Sequence, residues 1–215
     1  MPSRVVHQTD AIRWLEEQPV LHGCSLVASL PDYSEFPKLS QPEWKEWFKR
    51  VANLIFARCP DEGVVIFYQR DRKRERVWID KSYLLQRAAE DCGIDLLWHK
   101  IVCRAPPGQP TFGSTGYSHL LCFSKGVRPD LAFSTADILP ATGPVTWTRG
   151  MGVKVCEAAV KFVIQHTSTR TLVNPFCGHG TLLAVANEMG LDAVGVELGR
   201  KRAEKALALT LPRER

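Results

Sequence analysis

Apolar and polar positions along the chain alternate between two rhythms, short runs that suit buried strands and longer stretches with helical spacing. Val5-Val6 is a short strand, and Ile12, Trp14 and Leu15 mark a short helix after it. Cys24 to Ser29 reads as a second, buried strand ending in a proline-containing turn, Leu30 to Phe36. Gln41 to Ala57 carries Trp44, Trp47, Phe48, Val51, Leu54 and Ile55 on one face, with Pro42 in the first turn, which predicts an amphipathic helix. Val64 to Tyr68 is the next strand, Ser82 to Cys92 a helix stopped by Gly93, and Leu96 to Arg104 a strand. Ala105 to Gly116 holds three prolines and three glycines and predicts a long, mobile loop. Tyr117 to Ser124 would return from it as an antiparallel partner, Gly126 to Thr148 reads as irregular, and a helix follows from Val153 to about Gln165. Leu172-Val173 is a strand, Thr181 to Met189 a helix ended by Gly190, and Ala193 to Val196 a strand that ends on Glu197.

Strands and helices thus alternate over most of the chain, which predicts an α/β fold. The 215 residues suit a single domain, 1–215, and 45% hydrophobic with 24% charged residues is ordinary for a globular protein. Net charge is +5, compatible with a nucleic-acid partner. There are seven cysteines, an odd number with no C-x-x-C pair, and no signal-like or membrane-spanning apolar run. These features predict a reduced, cytoplasmic protein without a structural metal.

The most specific stretch is Thr171 to Glu197. It reads strand, glycine turn (Asn174-Pro175-Phe176-Cys177-Gly178-His179-Gly180), helix, strand, acid, half of a dinucleotide-type plan. Glycines let the backbone approach a ligand, a helix start presents free N–H groups, and a carboxylate at the next strand end can accept both hydroxyls of a ribose. Leu183 stands where a dinucleotide fingerprint has its third glycine, which argues against a dehydrogenase.

The string N-P-F-C-G-H-G-T, with Glu197 on the next strand, resembles the cofactor loop of the class I methyltransferases that use S-adenosyl-L-methionine (SAM), in particular the nucleic-acid amino-methyltransferases. The resemblance implies a Rossmann-like methyltransferase sheet, mostly parallel with an antiparallel edge hairpin. Its strands would come in the order 3-4-5-6-7 and then 1-2 of the common sheet, a circular permutation. It implies that Asn174, Pro175, Phe176, Cys177, Gly178, Gly180 and Thr181 hold SAM, with Glu197 on the ribose. Asn174 replaces the usual aspartate. Arg149 and Gly150, in the turn before the helix at Val153, become cofactor-side candidates. Asp10 is an acceptable helix cap, and by the resemblance also an acid near the adenine. For Cys177 a small buried residue is the plainer expectation, a reactive thiol the sharper one.

The turn Ser29-Leu30-Pro31-Asp32-Tyr33 resembles the D/N/S-P-P-Y/F motif of the same enzymes, in which side-chain and carbonyl acceptors hold an exocyclic amino group and an aromatic ring stacks on the base. Leu30 replaces the first proline and Tyr33 comes one place late. Tyr33 would then stack through a shifted loop, or Asp32 would serve as a general base. Arg70, Arg72, Lys73 and Arg74, in the run Q-R-D-R-K-R-E-R after a strand end, read as a solvated loop or as a phosphate-contacting edge, and Lys100 and Arg104 at the far end of the strand Leu96 to Arg104 are further nucleic-acid candidates. For His99, inside its strand, a hydrogen-bonded structural role is expected ahead of a catalytic one. The expected function is methyl transfer to a nucleobase, with structured RNA such as tRNA preferred because no separate target-recognition insert is visible. DNA, a small molecule, and a non-catalytic RNA-binding role remain alternatives. A second copy of the chain or a recognition subunit stays open as a partner.

Overall fold

The computed structural model describes residues 2–130, 132 and 134–211. Its centre is an eight-stranded sheet built from β1 (Arg4–His7), β2 (Cys24–Ala28), β3 (Val65–Gln69), β6 (Asp95–Cys103), β7 (Tyr117–Ser124), β8 (Ile138–Leu139), β9 (Thr171–Asn174) and β10 (Asp192–Val196). A separate two-stranded hairpin is formed by β4 (Arg72–Arg74) and β5 (Val77–Ile79). The sheet order is β1-β10-β9-β2-β3-β7-β6-β8. The pairs from β1 through β3 are parallel, β7 is antiparallel to both β3 and β6, and β8 runs parallel to β6. The expected antiparallel hairpin is present, but β8 covers its outer edge.

Alternation along each strand sends side chains to two cores. Leu26, Ala28, Val65, Phe67, Leu121 and Phe123 join one, with helices α1 (Ala11–Glu17), α2 (Gln41–Arg58) and α3 (Lys81–Asp91). Val27, Ile66, Leu120, Cys122 and Leu172 join the other, with α4 (Val153–His166), α5 (Thr181–Glu188) and α6 (Arg200–Ala208). This is the two-sided cover that a parallel sheet requires. Helix α2 shows how the sequence builds such a layer. Ser40 and Glu43 form a reciprocal capping box, Ser40 N–H donating to Glu43 at 2.8 Å, and Pro42 sits in the first turn. Its apolar face places Trp44, Phe48, Ile55 and Phe56 fully out of solvent, each contributing about 1.5–3 kcal/mol.

The charge run after β3 folds as the hairpin rather than as a loop. Glu75 and Arg76 make its turn in the left-handed region, with φ of 50° and 64°, the geometry of a tight two-residue hairpin turn. Lys100 also departs from expectation. It is buried, and its ammonium donates to the carbonyls of Thr135 and Ala136 at 3.0 and 2.9 Å, tying the segment before β8 to β6. Its ammonium also lies 3.5 Å from Asp137, so Lys100 is a buried, paired tether and not a surface cation. Among the described residues no helix is long and apolar enough to cross a membrane.

Candidate functional site

β1, β2, β9 and β10 are parallel, so their carboxyl ends share one rim, the place where open parallel sheets bind ligands. A cavity of about 460 Å³ opens there, within the size range of ligand pockets. Every residue expected at the cofactor or the reacting centre lines it, except Asp32, Tyr33 and Gly180.

The turn from β9 to α5 forms one wall. Asn174 Oδ1 accepts the Phe176 N–H at 3.1 Å, and Cys177 N–H donates to Val196 O at 3.0 Å, which fixes the turn against β10. Gly178 has φ of +56°, and a Cβ there would lie 2.8 Å from the Trp147 ring. Trp147 in turn stacks on His179, with centroids 4.7 Å apart and planes 19° apart. Gly180, at φ of +81°, sits against α6, where a Cβ would come 2.7 Å from Ala206 Cα. Its role is close packing rather than lining. Gly180 supplies no side-chain cap, so the first N–H groups of α5 are left open. The third glycine missing at Leu183 has a counterpart across the layer. A Cβ on Gly195 of β10 would come 2.6 Å from Leu183 Cδ1, so the strand, not the helix, gives up its side chain for close packing.

Cys177 is buried, and burial together with nearby Glu197 pushes its thiol up to about 12. Only the thiolate is nucleophilic, so iodoacetamide at pH 8 is expected to leave Cys177 unmodified in the folded protein by peptide mass spectrometry. Rapid alkylation there would restore the reactive-thiol reading.

Glu197 follows β10 and is buried. Its Oε1 accepts Gly199 N–H at 2.7 Å and pairs with Arg202 at 2.8 Å. Asp10 caps α1 through Oδ1, accepting the N–H groups of Ile12 and Arg13 at 3.0 and 2.9 Å, and also lines the cavity. Both roles foreseen for Asp10 are compatible with that position.

The opposite wall is the turn after β2. Ser29, Leu30 and Pro31 line the cavity, as do Glu35, Phe36 and Trp47 further on. Asp32 points elsewhere. Its Oδ2 accepts from Lys81 at 2.6 Å and Arg72 at 2.9 Å, and its Oδ1 accepts Ser34 N–H at 3.0 Å. Burial opposes its charge, but adjacent Lys81 and these hydrogen bonds override that and hold the carboxyl well below the usual carboxylate range. Asp32 is therefore an anchor of the turn and not a general base. Tyr33 packs on Trp44 at 5.9 Å, with the Arg74 guanidinium 4.5 Å above its ring, so it does not face the cavity either. The ring on this wall that does is Phe36, 4.4 Å from Trp47.

Two turns distant in sequence are joined along the cavity lining. Glu35 accepts from Asp32 N–H at 2.9 Å and pairs with Arg149 at 3.1 Å. Thr146 and Thr181 share a hydroxyl hydrogen bond, which joins the Arg149 turn to α5. Glu35, Phe36, Trp47, Trp147, His179 and Arg202 were not singled out from the sequence. Glu35 had a local signal in the D-x-x-E spacing of a capping box, and His179 in its place inside the glycine turn.

Of the remaining basic candidates, Arg70 donates to Thr115 O at 2.7 Å, Lys73 to Thr111 O at 3.4 Å, and Arg104 to Tyr68 Oη at 2.8 Å. His99 is hydrogen-bonded as expected: its Nε2 lies 2.8 Å from His119 Nδ1, and His119 Nε2 lies 2.9 Å from Asp71. Asp71 also accepts Lys81 N–H at 2.9 Å, so this chain of groups locks the start of α3 to β7.

No family model matches the sequence, and no curated protein does. Solved structures do match. A candidate DNA modification methylase from Thermus thermophilus, solved with SAM, aligns at 21% identity over 95% of this chain and 92% of its own, with a TM-score of 0.72. The PvuII DNA methyltransferase, cytosine-N4-specific, aligns at 17% identity over 96% and 86%, with a TM-score of 0.74. The M1.HpyAVI–SAM complex aligns at 15% identity over 94% and 98%, with a TM-score of 0.61. At these identities the likeness is one of architecture, and the chain has the Rossmann-like α/β fold found in these methyltransferases.

Proposed function

We infer that the cavity binds S-adenosyl-L-methionine and that the protein methylates an exocyclic amino nitrogen of a nucleobase, in DNA rather than RNA. The observation that carries this reading is the convergence of Ser29–Pro31 and Asn174–Thr181 on one cavity, with Glu197 at the end of the neighbouring strand. The chain order supports a permuted methyltransferase, since β9 and β10 come last in sequence yet lie between β1 and β2 in space.

The residues present fit the cofactor. Asp10, Glu35 and Glu197 against Arg149 and Arg202 leave the lining with an excess of carboxylate, which suits a cationic ligand. Glu197 would accept the ribose hydroxyls, Asp10 would lie near the adenine, and the 175–180 turn would wrap the methionine end. The bound cofactor supplies a methyl group on a positively charged sulfur, an electrophile that needs no metal. The chain supplies positioning. The Ser29 hydroxyl and the Leu30 carbonyl accept the hydrogens of the amino group, turning its lone pair out of ring conjugation. Phe36 takes the stacking role that Tyr33 leaves, and the released proton passes to water. Such preorganised acceptors account for most of the barrier lowering in this chemistry.

The preference for RNA rested on the lack of a separate recognition insert. Proteins named as DNA methylases match this chain over 92% and 86% of their own length, so compactness does not point away from DNA. Incubation with methyl-labelled SAM and either DNA or RNA, followed by digestion to nucleosides, is expected to place the label on an amino-methylated deoxynucleoside. Label confined to RNA would overturn the substrate assignment. Absence of both SAM binding and transfer would overturn the whole reading.

A further inference from the structure

Phe112 leaves 91% of its surface in solvent, beside a hairpin on which Trp78 is 46% exposed. Its loop is nevertheless held. Lys73 N–H donates to Gly113 O at 2.9 Å, Ser114 N–H donates to Phe112 O at 2.8 Å, and Ser114 bridges to Arg72. The hairpin is in turn fastened through Arg72 to Asp32, in the turn whose preceding residues line the cavity. The backbone that carries the ring is thus tied, through the hairpin, to the wall of the site.

The cations around it have an unusual choice of partners. Arg70 and Arg104 bind a carbonyl and a phenol, and Lys73 binds a carbonyl and lies 4.8 Å over the Trp78 ring. None of these contacts neutralises charge. Burial, and then the nearness of Arg104 and Arg72, lowers the pKa of Arg70, as expected where like charges gather. Uncompensated cations flanking a projecting aromatic ring match a phosphate backbone with a base stack between its strands. An acidic protein surface would answer the charge but not the ring.

We propose that Phe112 enters a DNA duplex and fills the stack where the target base has been withdrawn toward the cavity, while Arg70, Lys73 and Arg104 hold the flanking phosphates. This rests on the methyl-transfer reading above. A base inside a duplex is out of reach of any such cavity, and extruding it costs a few kcal/mol that an inserted side chain offsets.

The test measures transfer from labelled SAM to amplified, unmodified genomic DNA, as duplex and after heat denaturation. F112A is expected to lower the duplex-to-single-strand ratio at least tenfold, and F112W to restore it. SAM affinity, measured by calorimetry, should match wild type in both, since the ring is solvent-exposed. An unchanged ratio in F112A would overturn the wedge while leaving the methyl-transfer reading intact. A wild type that binds no SAM and modifies neither form would instead sink that reading, and this inference with it.

Discussion

Asp32→Ala is expected to destabilise the protein by about 3–5 kcal/mol, the cost of leaving a buried charge without its partner. The Lys81 side chain is 3% exposed, and Asp32 lies 2.6 Å from its ammonium. Removing the carboxylate strands that cation against Trp44, whose ring centroid is 5.7 Å away. It also removes the hydrogen-bond acceptor that starts the turn from Tyr33 to Glu35. For a chain of this size the melting temperature should fall by roughly 6–20 °C. D32A/K81M should recover much of the loss, because neither member of the pair is then left buried without the other. A single mutant within 1 kcal/mol of wild type would show the pair to be dispensable. The same pair sets a pH dependence. The folded-state pKa of Asp32 lies below its unfolded value. Its contribution is therefore complete above the unfolded value of about 4 and is lost as pH falls through the folded one. Urea unfolding at pH 7 and pH 3 should show a smaller difference for D32A than for wild type.

Glu197→Gln should weaken SAM binding roughly 100-fold, about 3 kcal/mol, since bonds to a charged acceptor are worth about 1.5–3 kcal/mol each. The amide still offers an oxygen to Gly199 N–H, and the ion pair with Arg202 is partly exposed. Thermal stability should therefore change by only a few degrees. Calorimetric titration with SAM separates the outcomes. Wild-type affinity in E197Q would remove Glu197 from the ribose, whereas loss of both affinity and fold would mark it as structural.

Much of the fold could be read from local pattern. Tyr117–Ser124 has the bounds that its apolar run predicts, and α2 gains one residue over its predicted end. The glycine turn could be read because its residues act through backbone geometry that few other residues permit. Errors arose where a tertiary partner decides the role. Lys100 looks like a surface cation until the segment before β8 supplies carbonyls for it. Asp32 looks like a candidate base until Arg72 and Lys81, far along the chain, occupy it. The β4–β5 hairpin has three-residue strands, no apolar alternation and no glycine in its turn, so no periodicity could announce it. Trp147 and His179 reach the cavity by stacking on each other, a contact with no spacing rule behind it.

The placement of β1 has a consequence for how the protein is made. Its residues Arg4 to His7 pair with Ala193 to Val196, so β1 waits for a strand made long after it. Until then its N–H and C=O groups are an open edge, and closing so long a loop slows the final step of folding. Asp10 and Glu197 both lie just beyond this pair of strands. The cavity is therefore finished only when these two strands meet, and no chain synthesised short of β10 can hold it complete.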